Sequence, residues 1–141
     1  MARSSRIIAR AVARALTPLI GVPIELPERL AERYPELREA RYRRGGLPPR
    51  VGGWGLRQRT VAAITLWRTV FLAPGTPFDA ELLLHELRHV HQFRASVAFP
   101  FLYLWESVRR GYHRNRFEAD AQQFAAGRVR AAPFSPPSED V

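Results

Sequence analysis

Apolar positions recur with a helical period near the start of the chain. In residues 1–21, "MARSSRIIARAVARALTPLIG", the larger aliphatic side chains fall near one helical face, and Arg3, Arg6, Arg10 and Arg14 lie towards another. The pattern predicts a basic amphipathic helix within residues 1–24. We interpret it as a helix packed on the domain with its arginines in solvent, and the alternatives are a membrane-surface helix or an organellar targeting segment.

The next part of the chain changes from helical to strand-like patterns. Residues 25–49 are charged and proline-rich, and they predict a short helix or two ending at Gly45 and Gly46, with Arg41, Arg43 and Arg44 at a solvated helix end. Residues 60–66 and 69–73 are rich in β-formers and predict a small hairpin. Its second strand, around Thr69 to Ala73, could offer an edge for an extended peptide, and the equal alternative is that it is ordinary scaffold.

Three further helices follow the predicted hairpin. Thr76, Pro77 and Asp79 resemble a capping box, so the first helix is expected to start near Pro77 and to continue to about Phe99, where Pro100 follows. The second, "PFLYLWESVRR", is closed by Gly111, and the third, "NRFEADAQQFAAGRVR", is capped by Asn115. We therefore predict a mainly helical α+β fold in one domain over residues 25–130, followed by a disordered tail at 131–141.

Composition narrows the possible chemistry. The chain has 141 residues, of which 46% are hydrophobic, enough for one ordinary domain with a core. It contains no cysteine, so any metal must bind to histidine and carboxylate side chains. The net charge of +9 comes from arginine alone, and it does not distinguish nucleic acid, anionic lipid and acidic protein as partners.

The expected cellular location is inferred from two features that the sequence lacks, a membrane span and a standard secretory signal. No stretch has the uncharged apolar length of a membrane span, and Arg10 and Arg14 interrupt the N-terminal apolar segment, which argues against a standard secretory signal. We expect a cytoplasmic protein, with peripheral membrane contact through the N-terminal helix as an alternative. Nucleic-acid binding is not favoured, because no aromatic and basic platform follows the arginine run.

The segment "LLLHELRHVHQF", residues 82–93, carries the most informative polar groups. On a helix His85 and His89 are one turn apart, about 40° around the axis, so their rings converge as two ligands of one metal ion. Glu86 lies beside them, directed towards the open coordination position, as in a metal-dependent hydrolase. His91 falls almost opposite His89 and is not expected to be a ligand.

A catalytic zinc site needs a third protein ligand and a position for water. The downstream carboxylates on ordered elements are Glu106, Glu118 and Asp120. Glu118 is favoured, because its helix could pack on the motif helix, with Ala121 and Ala125 permitting close approach. The alternative is that Glu118 completes a capping box with Asn115, and Asp120 is then the reserve ligand.

A family resemblance can now be stated. "HELRHVHQ" followed by "YHRNRFEADA" resembles the gluzincin type of zinc metallopeptidase, and most closely small bacterial peptidase-like domains in which a short strand precedes a "HELxHVxQ" helix and an "NxFExxA" helix follows it. The resemblance covers about residues 60–127. It implies a minimal zincin-like domain in which His85, His89 and Glu118 bind zinc and Glu86 is the catalytic base.

One position departs from that family pattern. Larger gluzincins often carry an aspartate four residues after the glutamate ligand, to orient a ligand histidine, where this chain has Gln122. The group that orients the histidines is therefore unassigned, and Asp120 or a backbone carbonyl are the candidates.

These observations together predict a zinc-dependent hydrolase, most simply a peptidase acting on a peptide or protein. Tyr112 and His113 are the nearest candidates to stabilise the oxyanion, although Tyr112 is equally explained as a packing residue. Two other classes stay open. One is a zinc-binding scaffold without catalysis, and the other is a basic protein that binds nucleic acid or a membrane surface and uses His85 and His89 only in its core.

Overall fold

The computed structural model describes residues 12, 14–50 and 61–132. The predictions for residues 1–11 and for the tail from residue 133 onwards lie outside the described residues. Within them, four short strands and a larger set of helical segments form a mainly helical α+β fold, which confirms the predicted class.

The elements are named here in chain order. The strands are β1 (Val22–Ile24), β2 (Arg41–Arg44), β3 (Ala63–Leu66) and β4 (Thr69–Leu72). The helices are α1 (Glu28–Arg33), α2 (Ala80–Ala95), α3 (Phe99–Arg110) and α4 (Arg116–Ala131). Two 3-10 turns lie at Pro35–Glu39 and Tyr112–Arg114, and residues 14–20 are also helical.

The strands form one sheet in the order β1-β2-β4-β3. β3 and β4 pair antiparallel, with Ala63 opposite Leu72, so the predicted hairpin is confirmed. β4 also pairs with β2, in parallel, and is therefore a central strand. The prediction that residues 69–73 offer a free edge is wrong, because the edge strand of the hairpin is β3.

The helix predicted around Arg41, Arg43 and Arg44 is a strand. Tyr42 is buried, and its hydroxyl donates to the carbonyl of Leu37 at 2.8 Å. The Arg43 and Arg44 side chains donate to backbone carbonyls, among them Gly21 O at 3.0 Å and Thr76 O at 2.6 Å, rather than extending into solvent. The parallel partner of β2 lies more than twenty residues further along the chain, so no local sequence pattern could predict this strand pairing.

Helix α2 is shorter than predicted at both ends. It begins at Ala80, because Asp79 is the N-cap and its Oδ1 accepts from the backbone N–H of Leu82 at 2.8 Å. It ends at Ala95, where Ser96 is extended. Pro100 does not terminate α2. It lies in the first turn of α3, where backbone N–H groups have no partner within the helix, so a proline there costs no hydrogen bond. The predicted end of α3 at Gly111 and the predicted N-cap of α4 at Asn115 are confirmed.

The N-terminal helical segment ends earlier than residue 24. Gly21 follows it with a φ of 65°, and Val22–Ile24 then pairs with β2 as a strand. The segment is tied to the domain at this end, because Leu47 N donates to Leu19 O. Leu16, Leu19 and Ile20 are nevertheless 40–47% exposed, so the described part does not bury its apolar side chains as the packed-helix interpretation expected.

The core lies between the sheet and α2. Leu83, Leu84, Leu87 and Val90 of α2 are fully buried, and they cluster with residues of β2, β4 and the first 3-10 turn. Helix α4 packs against α2 and buries Ala121 and Ala125, the small residues predicted to allow close approach. None of the helices in the described ranges combines the length and apolar composition needed to cross a membrane.

Candidate metal centre

Three polar side chains meet at the contact between α2 and α4. His85 and His89 project from adjacent turns of α2, and Glu118 projects from the first turn of α4. His89 and Glu118 are buried, and the side chain of His85 is 17% exposed. Within the described residues, this is the one group of three or more histidine and carboxylate side chains able to hold a metal ion.

The separations between the donor atoms suit a single ion. Nε2 of His85 lies 3.2 Å from Nε2 of His89. The two carboxylate oxygens of Glu118 lie 3.2 Å from these nitrogens, Oε2 from His85 and Oε1 from His89. Tetrahedral ligands at zinc–nitrogen distances are about 3.3 Å apart. The two nitrogens, and each nitrogen with one oxygen of Glu118, therefore have separations close to those of tetrahedral ligands, and one ligand atom from each residue lies within 4.8 Å of the others, so the residues fit such a group.

Gln92 orients the imidazole of His89. The amide Nε2 of Gln92 donates to the carbonyl of Phe117 at 3.1 Å and to Oδ2 of Asp120 at 2.9 Å. Its Oε1 must then face His89, whose Nδ1 lies 2.7 Å away and donates to it. In the neutral imidazole, a proton on Nδ1 leaves the lone pair of Nε2 directed at the cluster, as metal binding requires.

Asp120 is not part of the donor group. Its carboxylate accepts two hydrogen bonds from Arg88, at 2.7 and 3.2 Å, besides the one from Gln92. These bonds lower the pKa of Asp120 and keep it ionised. The structure thus places Asp120 behind Gln92, and the histidine-orienting group that sequence reasoning left unassigned is Gln92 itself. Gln92 lies three residues after His89 and therefore on the same helix face, and this spacing was the sequence signal that could have identified it.

Two tyrosines hold the carboxylate of Glu118. Tyr103 Oη on α3 donates to Oε1 at 2.5 Å, and Tyr112 Oη donates to Oε2 at 3.1 Å. Burial, followed by the neighbouring negative charge of Glu118, raises the pKa of each phenol well above its usual range, so both remain donors. Tyr112 therefore lies in the site, as predicted, with its hydroxyl on Glu118. Tyr103 was missed, since "FLYLW" gives no sign that this residue turns inward.

Glu118 is held as a carboxylate. Burial by itself would raise its pKa, but hydrogen bonds from His85 and His89, the charge of His89 and the bond from Tyr103 hold the pKa well below its usual range. The pKa of His89, which burial would lower, is raised by Glu118 and Glu86. The capping-box alternative for Glu118 is wrong, because the N–H of Asn115 donates to Tyr112 O and the Glu118 carboxylate faces the histidines.

Glu86 lies on the same helix as the two histidines and lines the same cavity as the donor group. It is 6% exposed, and its Oε2 accepts a hydrogen bond from Thr65 Oγ1 on β3 at 2.7 Å. The hydroxyl also lies 3.1 Å from the backbone carbonyl of Glu86. Thr65 was not identified from the sequence, because the strand "AITL" does not show which of its residues contacts Glu86.

A cavity of about 730 Å³ opens over these residues. His85, Glu86, His89 and Glu118 share it, and β3 forms one side while α3 forms another. Most of the remaining lining is apolar: Val61, Ala63, Ile64, Leu66, Leu82, Phe93, Phe99, Pro100 and Leu104. The polar cluster therefore lies at the base of an apolar cleft beside the edge strand of the sheet.

The remaining candidates lie elsewhere. His91 Nε2 faces Glu39 Oε2 at 3.3 Å, which confirms that it is not in the donor group. His113 is exposed, and its ring stands edge-on to Tyr112 without lining the cavity, so the structure does not bring it to the site. Gln122 lines the cavity, and Glu106 is buried near Arg110 on α3.

The chain matches no protein-family profile, and comparison with curated proteins and with solved structures gives no match. The chemistry of the site must therefore be argued from its own residues.

Proposed function

We propose that the protein is a zinc-dependent hydrolase, most simply a metallopeptidase, with His85, His89 and Glu118 as the zinc ligands. The observation that carries the proposal is the convergence of these three donors at 3.2 Å separations, with Glu86 lining the same cavity. Two imidazoles and one carboxylate are a donor set typical of catalytic zinc, and they leave a position for water.

The role of Glu86 distinguishes an enzyme from a scaffold. A structural zinc site needs no further carboxylate beside its ligands, whereas hydrolysis needs a base. Zinc bound here would lower the pKa of a water molecule and polarise a substrate carbonyl. Glu86, oriented by Thr65, would accept the proton of the water and return it to the leaving amine.

The surroundings support a peptide substrate. β3 is the edge strand next to the cavity, and residues 61–66 line it, so an extended chain could add to the sheet there. The apolar walls favour a substrate with a bulky apolar side chain. Tyr103 and Tyr112 position Glu118 through their hydroxyls, and oxyanion stabilisation by Tyr112 stays a prediction.

The proposal is tested by comparing Glu86→Gln with Glu32→Gln, a matched change at an exposed position on α1. Both variants are loaded with zinc and assayed on a library of quenched fluorescent peptides. We expect Glu86→Gln to retain zinc but to lose activity by about 10²- to 10⁴-fold, the usual contribution of a general base. Zinc-loaded wild type that cleaves nothing would instead indicate a non-catalytic scaffold, and a Glu86→Gln variant with wild-type activity would show that Glu86 is not the general base.

A further inference from the structure

Helix α3 presents an unusual outer surface. Phe101, Leu104, Trp105 and Val108 follow an i, i+3, i+4, i+7 spacing, so they lie on one face. They are 77, 62, 62 and 76% exposed. The opposite face carries Phe99 and Glu106, which are buried against the domain. The helix is therefore apolar towards the outside, which is the reverse of an ordinary surface helix.

Exposed basic residues follow this apolar face along the chain. Arg109 and Arg110 end α3, and Arg114 follows in the next turn; all three are exposed. The single acidic residue between residues 97 and 117 is Glu106, which is 5% exposed and lies 3.5 Å from Arg110. The segment from residue 97 to residue 117 thus presents apolar and positively charged side chains, and its one carboxylate is buried.

We propose that this face, formed by Phe101, Leu104, Trp105 and Val108 with Arg109 and Arg114 beside it, docks on an anionic lipid surface. Large apolar patches on a chain of this size indicate a binding surface. The charge of this segment favours that partner, because its exposed arginines complement anionic headgroups, while the aromatic and aliphatic side chains enter the acyl boundary. Tryptophan at such a boundary is typical of membrane interfaces.

The proposal is independent of the metal centre, although the two surfaces are adjacent. Leu104 belongs to the docking face and also lines the cavity above the donor group. A protein docked through α3 would therefore hold its cavity beside the bilayer surface. The helical segment at residues 14–20, with its own half-exposed leucines, is the competing membrane contact.

The test is cosedimentation of the full chain with vesicles of phosphatidylcholine alone and of phosphatidylcholine with about 30% phosphatidylglycerol. We expect wild type to bind the anionic vesicles more tightly. Phe101→Ser/Val108→Ser and Arg109→Gln/Arg114→Gln should each weaken that binding by about ten-fold or more, since burial and charge both contribute. Circular dichroism and thermal melting confirm that each variant is folded.

Two matched controls make the result decisive. Leu16→Ser/Leu19→Ser removes exposed leucines from the other helix, and Arg29→Gln/Arg33→Gln removes the same charge from α1; both should bind like wild type. The proposal is overturned if wild type does not bind anionic vesicles, if only the Leu16→Ser/Leu19→Ser variant loses binding, or if binding ignores lipid charge. A wild-type dimer that Phe101→Ser/Val108→Ser dissociates, without vesicle binding, would assign the face to a second copy.

Discussion

At the scale of single residues, the candidate metal centre depends on groups that orient its donors. Gln92 has its amide nitrogen committed to Phe117 and Asp120, and only its oxygen can face His89. Its contribution is therefore specific: it fixes which nitrogen of His89 carries the proton. Thr65 has a comparable role towards Glu86.

Replacing Gln92 by leucine should weaken zinc binding by about 10- to 100-fold, the usual effect of losing a group that orients a ligand. The fold should survive, because leucine has a similar volume. Competition with a chromogenic chelator measures the affinity, and Gln123→Leu, an exposed change on α4, is the control. Equal affinities in the two variants would mean that Gln92 does not orient the ligand.

Thr65→Val should separate catalysis from metal binding. It removes the hydrogen bond to Glu86 while keeping the shape of the side chain, and a hydrogen bond to a charged group corresponds to about ten-fold in rate. We expect kcat to fall by that order with zinc content unchanged, and Thr65→Ser to restore most of the rate. A Thr65→Val variant with wild-type kcat would show that the hydrogen bond from Thr65 does not orient Glu86 for catalysis.

The three donor residues could be predicted from the sequence, whereas Thr65 and Tyr103, which donate hydrogen bonds to Glu86 and Glu118, could not. His85 and His89 are spaced by one helical turn, and Glu118 opens a later capped helix, so local geometry is informative. Thr65 and Tyr103 reach the site through packing of β3 and α3 on α2, which no local period encodes. Their polar groups become visible only when the tertiary contacts are known.

At the scale of elements, caps and long-range pairing decide where helices and strands begin. Glycine and asparagine signals placed the end of α3 and the start of α4 correctly. The start of α2 was predicted near Pro77, three residues too early, because the N-cap is Asp79. β2 was mistaken for a helix, since its partner β4 is distant in sequence and parallel.

The observed cap gives a direct prediction. Asp79→Ala should lower the free energy of unfolding by about 1 kcal/mol, because Leu82 N–H loses its acceptor. Thr76→Ala, at the cap that the sequence suggested, should change it much less. Chemical denaturation of both variants measures the difference. A larger loss at Thr76 than at Asp79 would contradict the observed start of α2.

At the scale of the whole molecule, an ion pair joins two elements whose paired residues are 92 positions apart in the chain. Arg128 Nε on α4 lies 2.5 Å from Glu36 Oε1 in the first 3-10 turn. Burial by itself raises the pKa of Glu36, but the hydrogen bond and charge of Arg128 outweigh it and the net pKa is lowered. A lowered carboxyl pKa stabilises the fold above the unfolded value of 4.5, and this contribution is lost as the pH falls through the folded pKa.

Glu36→Gln should therefore reduce stability at neutral pH by about 1 kcal/mol, since the pair is only partly exposed. The difference from wild type should shrink as the solution is acidified below pH 4.5. Glu28→Gln breaks the more exposed pair with Arg38 and is the control, with little expected effect. Denaturant titrations at several pH values measure both, and a difference that grows on acidification would refute the assignment.

The most direct test of the central claim is the zinc content of the purified chain. Wild type, His85→Ala and Glu118→Gln are compared with His113→Ala, which alters a histidine outside the donor group. Elemental analysis after equilibration with zinc and gel filtration should give one zinc per chain in wild type and His113→Ala, and much less in the other two. Equal zinc in all four proteins, or none in wild type, would contradict a metal centre at His85, His89 and Glu118.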